Sequence, residues 1–128
     1  MNPWYASAAA LIVLIALAHS VVGEQRIFRH LRRAGHLVPT EGGTLLRAFQ
    51  VRILWGTWHM LSAMGLGLAA VLLWLAQPAA QAASAGRVEW CVAMAMFVSG
   101  VLVLVSNRGR HPAWVALFAA AAMVALGL

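Results

Sequence analysis

Four side chains beside or within apolar runs are equipped to do chemistry: His19, Glu24, His59 and His111. Imidazole is the commonest side-chain metal ligand, and three imidazoles completed by one carboxylate suit zinc, iron or copper. His19 and His59 would be the core ligands, with His111 and Glu24 completing the set. Ser20, Ser62 and Ser106 lie near the same depth and would fix the imidazoles by engaging their ring N–H groups. His111 opens an apolar run, where a helix dipole disfavours the imidazolium and leaves the ring free to coordinate. One spacing resists this picture: His19 and Glu24 are five residues apart, about 140° around a straight helix, so both face one ion only if Gly23 unwinds the turn.

The same histidines allow a second cofactor, haem b. His19 and His59 would be its axial pair, and Arg26, Arg29, Arg52 or Arg110 would pair with the propionates. No cofactor at all is the plainer alternative. His19 would then tie two helices together, Glu24 would pair with a connector arginine, and His111 beside Arg110 would bind headgroups. His30 and His36 sit among arginines and take no ligand role. Glu89, beside Trp90, marks the edge of a span, and Cys91 reads as a small buried hydrophobe. The sequence has no nucleophile elbow, no phosphate-cradling glycine loop and no His-Glu-x-x-His helix.

The elements that must position these groups are membrane helices. Of 128 residues, 63% are hydrophobic and 9% charged, and the mean hydropathy is +0.85. A soluble domain has about half apolar and a quarter charged residues. All nine cations are arginine and the only anions are Glu24, Glu41 and Glu89. Lysine-free, aspartate-free, alanine-rich composition points to a GC-rich bacterial genome. The net charge of +6 lies beside apolar segments, so anionic lipid is the expected partner and nucleic acid is not. The first apolar run lacks a preceding basic region and is read as a retained span rather than a signal peptide.

A bilayer core needs roughly twenty apolar residues of helix. Residues 4–22, 53–75, 88–105 and 113–128 come close, which predicts an all-α bundle of four transmembrane helices in a single domain. Arginines crowd the first and third connectors, placing these in the cytoplasm and both termini outside. Arg26, Arg29, Arg32, Arg33, Arg52 and Arg110 are the expected headgroup contacts. In the first connector, Ile27, Phe28 and Leu31 alternate with arginines as on an amphipathic interfacial helix, and residues 44–52 read as a second short helical piece. A stripe of small residues, Gly56, Ser62 or Ala63, and Gly67, runs past His59 and predicts close helix packing there. Trp55 and Trp58 either wall a pocket or anchor the interface.

The stretches 18-AHSVVGE-24, 58-WHMLS-62 and 107-NRGRHPAW-114 resemble small uncharacterised bacterial inner-membrane proteins with four predicted helices. The resemblance implies the four-helix fold and brings no biochemical role with it. Size is also similar to the small multidrug transporters, but their first helix carries a mid-membrane glutamate and this one has no acid before Glu24. The expectation is an inner-membrane protein with a histidine metal site near the cytoplasmic leaflet, redox-active or metal-dependent. It would act as a homo-oligomer or as part of a larger complex. The rivals are haem binding, a non-catalytic accessory subunit, and a proton-coupled small-molecule transporter protonated at His59.

Overall fold

Helix formers run without interruption from Pro3, and nothing at Gly23 stops them: the first helix, α1, spans Pro3–Arg26. The structure is a computed structural model that describes residues 1–106, 109 and 112–127. After α1 come a 3₁₀ turn (Phe28–Leu31), α2 (Ala48–Leu75), α3 (Pro78–Ser84), α4 (Arg87–Ser106) and α5 (Ala113–Leu126). No strand occurs among the described residues, only an isolated bridge between Gly42 and Leu46. Three helices, α1, α2 and α4, are long and apolar enough to cross a membrane. With 14 residues, α5 would be about 21 Å long at 1.5 Å per residue, short of a hydrocarbon core of about 30 Å.

The chain divides into two compact units: residues 1–15 with 65–128, and residues 16–64. In the first unit, Tyr5, Ala8, Ala9 and Ile12 of α1 repeat at helical spacing, as do Leu117, Ala120, Ala121 and Val124 of α5. Their stripes meet Ala69, Leu72 and Leu75 of α2 and Val92, Ala93 and Met96 of α4 in one core. The abundance of alanine allows the backbones to approach closely, the packing mode that holds helices together where lipid removes the hydrophobic drive. Gly100 shows one such close approach, since a methyl there would strike the Phe118 ring. Phe118 in turn stacks on Phe97 with centroids 5.3 Å apart. Outward faces stay apolar: no more than 28% of any of the three candidate spanning windows is buried. Contiguous exposed apolar surface on this scale fits a membrane protein.

The connector between α2 and α4 holds a helix that the alanine-rich stretch 77–86 did not announce. Pro78 opens α3 at its first turn, where the missing N–H is no loss. Ala85 closes it in the left-handed region at φ 48°, followed by Gly86 at φ 77°. Cys91 lies on the exposed face of α4, not among buried side chains as expected.

The second unit holds the end of α1, the arginine-rich connector and the start of α2. The expected interfacial helix shrinks to the 3₁₀ turn, because the Leu31 carbonyl accepts from the backbone N–H groups of Thr40 and Glu41 and cannot continue a helix. Of the three apolar residues there, only Phe28 is buried; Ile27 is exposed and Leu31 half-buried. The second helical piece is real only from Ala48 and is continuous with α2. Phe28, Pro39 and Val51 are buried and give this unit its own small core.

Candidate polar site on α1 and α2

Angular position on the two helices decides which side chains meet. At 100° per residue, Ser20 and Glu24 lie about 40° apart on α1, while His19 and Gly23 lie about 40° apart on the neighbouring strip. On α2, Trp55 and Ser62 fall within about 60° of His59, and Trp58 sits about 100° away. The contacts sort accordingly: Ser20 and Glu24 take His59, and His19 and Gly23 take Trp58.

His59 Nδ1 is 2.9 Å from Ser20 Oγ, and Ser20 Oγ is 2.8 Å from Ser62 Oγ. On the other side of the ring, His59 Nε2 faces Glu24 Oε2 at 3.7 Å. The carboxylate is held from two further directions. Trp55 Nε1 donates to Oε2 at 3.2 Å, and Arg32 Nη2 pairs with Oε1 at 2.5 Å. Phe28 and Trp55 wall the imidazole, with ring centroids 6.1 and 5.0 Å away. The His59 and Glu24 side chains are 28% and 30% exposed, so the pair is neither sealed from water nor fully solvated.

His19 has a different task. Its ring lies flat on the Trp58 indole, with centroids 4.2 Å apart and planes 7° from parallel. Trp58 Nε1 donates to the His19 backbone carbonyl at 2.8 Å. Gly23, one turn further on, makes this possible: a methyl there would collide with the indole ring. The unwinding at Gly23 that a shared His19–Glu24 ion would require does not occur; the helix stays intact and admits a neighbouring aromatic.

Of the four expected ligands, the structure brings together His59 and Glu24. Ser20 bonds the imidazole directly, whereas Ser62 reaches it only through Ser20. His111, Arg110 and the Ser106 side chain lie outside the described residues. Among the described residues, no group of three or more His, Cys, Asp or Glu side chains could hold a metal ion. Arg26, Arg29, Arg33 and Arg52 are exposed, and Arg33 pairs with Glu41 at 2.9 Å. Arg32, grouped by sequence with the headgroup arginines, is turned onto Glu24 instead.

The plainer alternative had Glu24 pairing with a connector arginine; that this arginine is Arg32 depends on the chain reversal after the 3₁₀ turn and has no local signal. The small-residue stripe misled: a methyl on Gly56 or Gly67 would meet nothing within 4 Å. Both glycines sit about 60–80° from His59 on the side away from Trp55 and Ser62, off the face that packs on α1.

No protein-family model matches this chain, and neither a curated protein nor a solved structure shows significant similarity to it.

Proposed function

We propose that this chain is a small inner-membrane protein of four transmembrane helices in which Glu24 and His59 form a proton-exchange centre serving proton-coupled movement of a small molecule. What supports this reading above all is the hydrogen-bonded row His59, Ser20, Ser62, with the Glu24 carboxylate facing the far ring nitrogen at 3.7 Å. A neutral imidazole carries its proton on either nitrogen, and a serine hydroxyl both donates and accepts. The row therefore works in both directions. With the proton on Nδ1, His59 donates to Ser20 and Ser20 to Ser62. With the proton on Nε2, it faces Glu24, while Ser62 donates to Ser20 and Ser20 to Nδ1. Reversing the row passes a proton between the Ser62 side and the Glu24 side once Glu24 and His59 close from 3.7 Å to hydrogen-bond distance. Ionisable residues inside membrane helices mark proton relays and transport paths by default.

Arg32 disfavours a metal ion, because a guanidinium on the same carboxylate opposes a second, divalent cation there. The second reading is nevertheless a metal ion between His59 Nε2 and Glu24 Oε2. Two donors at about 2.1 Å and tetrahedral angles stand about 3.4 Å apart, close to the observed 3.7 Å, and Ser20 on Nδ1 is the kind of partner that orients a ligating imidazole. Haem finds less support, because His59 and His19 engage different partners. The arginine-rich connectors belong on the cytoplasmic side with both termini outside, and the exposed Arg26, Arg29, Arg33 and Arg52 would contact anionic headgroups in a homo-oligomer or larger assembly.

The test combines elemental analysis with proton counting on untagged protein in liposomes. The proton reading expects no stoichiometric zinc, iron or copper, and an acid–base difference titration in which Glu24→Gln and His59→Gln each remove exchangeable protons that wild type takes up. Stoichiometric metal lost in both variants would replace it with the metal reading.

A further inference from the structure

Outside this site, the first unit buries a carboxylate for which the Glu24–His59 centre has no use. Glu89 stands in the first turn of α4 and is fully buried. One oxygen, Oε1, is 2.5 Å from Ser84 Oγ. The other, Oε2, is buried and has no hydrogen-bond partner. No cation pairs with Glu89 among the described residues; the ion pairs there involve Glu24 and Glu41. The α4 N-terminus favours a negative charge at this position, and Ser84 accounts for one oxygen as a helix-start partner would. Neither accounts for Oε2.

The unpartnered carboxylate lines a cleft of about 360 Å³ whose other walls are Tyr5, Gln81, Ala82, Ala85 and Gly86. That volume lies at the small end of sites that hold organic ligands. The polar walls are selective in sign. Glu89 supplies an anion, the Tyr5 hydroxyl is buried in the same lining, and Gln81 donates one N–H to the Gly127 carbonyl at 3.0 Å while its amide oxygen stays an acceptor. The rest of the lining is alanine and glycine, whose small side chains leave the space open. Ala85 and Gly86 keep the mouth in shape through their left-handed backbone.

We propose that this cleft binds a small organic cation, a primary ammonium compound whose N–H groups bond Glu89 Oε2 and the neighbouring acceptors. An ammonium fits on three counts. It neutralises a buried carboxylate that lacks a partner, it donates hydrogen bonds where acceptors predominate, and its organic remainder can lie along the Ala82 and Ala85 walls of the cleft.

The experiment measures binding of phenethylamine to the full chain in detergent by equilibrium dialysis, with 2-phenylethanol as its uncharged counterpart. Saturable binding of the amine, at least tenfold tighter than the alcohol, is expected. Glu89→Gln, which keeps the shape and the Ser84 contact, should abolish that preference. Ala82→Leu, which leaves Glu89 in place and fills the cleft, should abolish binding of both compounds, and it decides the matter if Glu89→Gln fails to fold. Equal binding of amine and alcohol, no saturable binding of the amine, or unchanged binding in a folded variant overturns the proposal and leaves Glu89 as the helix-start carboxylate of α4.

Discussion

The rings of His19 and Trp58 lie 4.2 Å apart and 7° from parallel. This stack separates two neighbours in the sequence. His19 becomes a packing surface between α1 and α2, and Ser20 becomes the hydrogen-bond partner of His59. The polar row is built on one strip of α1 and the aromatic clasp on the next, so the clasp sets the distance at which Ser20 and Glu24 meet His59.

Gly23 should therefore tolerate nothing larger. Gly23→Ala places a methyl inside the Trp58 indole, and overpacking of this kind costs about 1–3 kcal/mol. Denaturant unfolding in detergent should show the loss. Adding Trp58→Phe should recover part of it, because the smaller ring vacates the space. A double variant that merely sums the two single losses would show that the two residues do not touch.

Removing the Ser20 hydroxyl should hurt more than its size implies. Ser20→Ala leaves His59 Nδ1 and Ser62 Oγ facing a methyl, and stranding a buried polar group costs about 1–3 kcal/mol. Ser20→Thr retains the hydroxyl and should keep the His59 ring environment near that of wild type. Nitrogen NMR of the labelled imidazole distinguishes the two variants directly.

The two arginine–glutamate pairs should differ in weight. Arg33 and Glu41 are 75% and 49% exposed, and an exposed pair contributes about 0–1 kcal/mol. Arg32 and Glu24 are 22% and 30% exposed. Arg32→Ala frees a half-buried carboxylate as well as breaking a contact, and hydrogen bonds to charged groups are worth about 1.5–3 kcal/mol. Parallel unfolding of Arg32→Ala and Arg33→Ala should rank Arg32 first. Raising the salt concentration should weaken the Arg33 pair more.

Helical arithmetic carried much of this into the sequence, and chain reversal hid the rest. The 140° between His19 and Glu24 already implied different partners on a straight helix, and α1 is unbroken through Gly23. Ser20 was legible as an imidazole partner from depth alone; Ser62, read the same way, bonds Ser20 instead. Arg32 was not legible, because its approach to Glu24 depends on the loop at Thr40 and Glu41 capturing the Leu31 carbonyl. Glu89 was read as marking the edge of a span and stands in the first turn of α4; its burial beside α3 and the Ala85–Gly86 turn has no signal in alanine-rich sequence. The long apolar helices were plain from composition. The 14 residues of α5 fall below the length that settles a crossing.

The central claim is that Glu24 and His59 exchange a proton as one unit. Solid-state NMR of protein in liposomes, with labelled imidazole nitrogens and labelled glutamate carboxyl carbons, follows both groups through one pH series from about 4 to 9, which brackets ordinary carboxyl and imidazole titration. Coupled groups titrate in steps that belong to the pair. The account predicts that the His59 Nε2 and Glu24 carboxyl signals move in the same steps, and that Glu24→Gln changes the His59 profile. Independent movement of the two signals, with a His59 profile unaltered by Glu24→Gln, would contradict it.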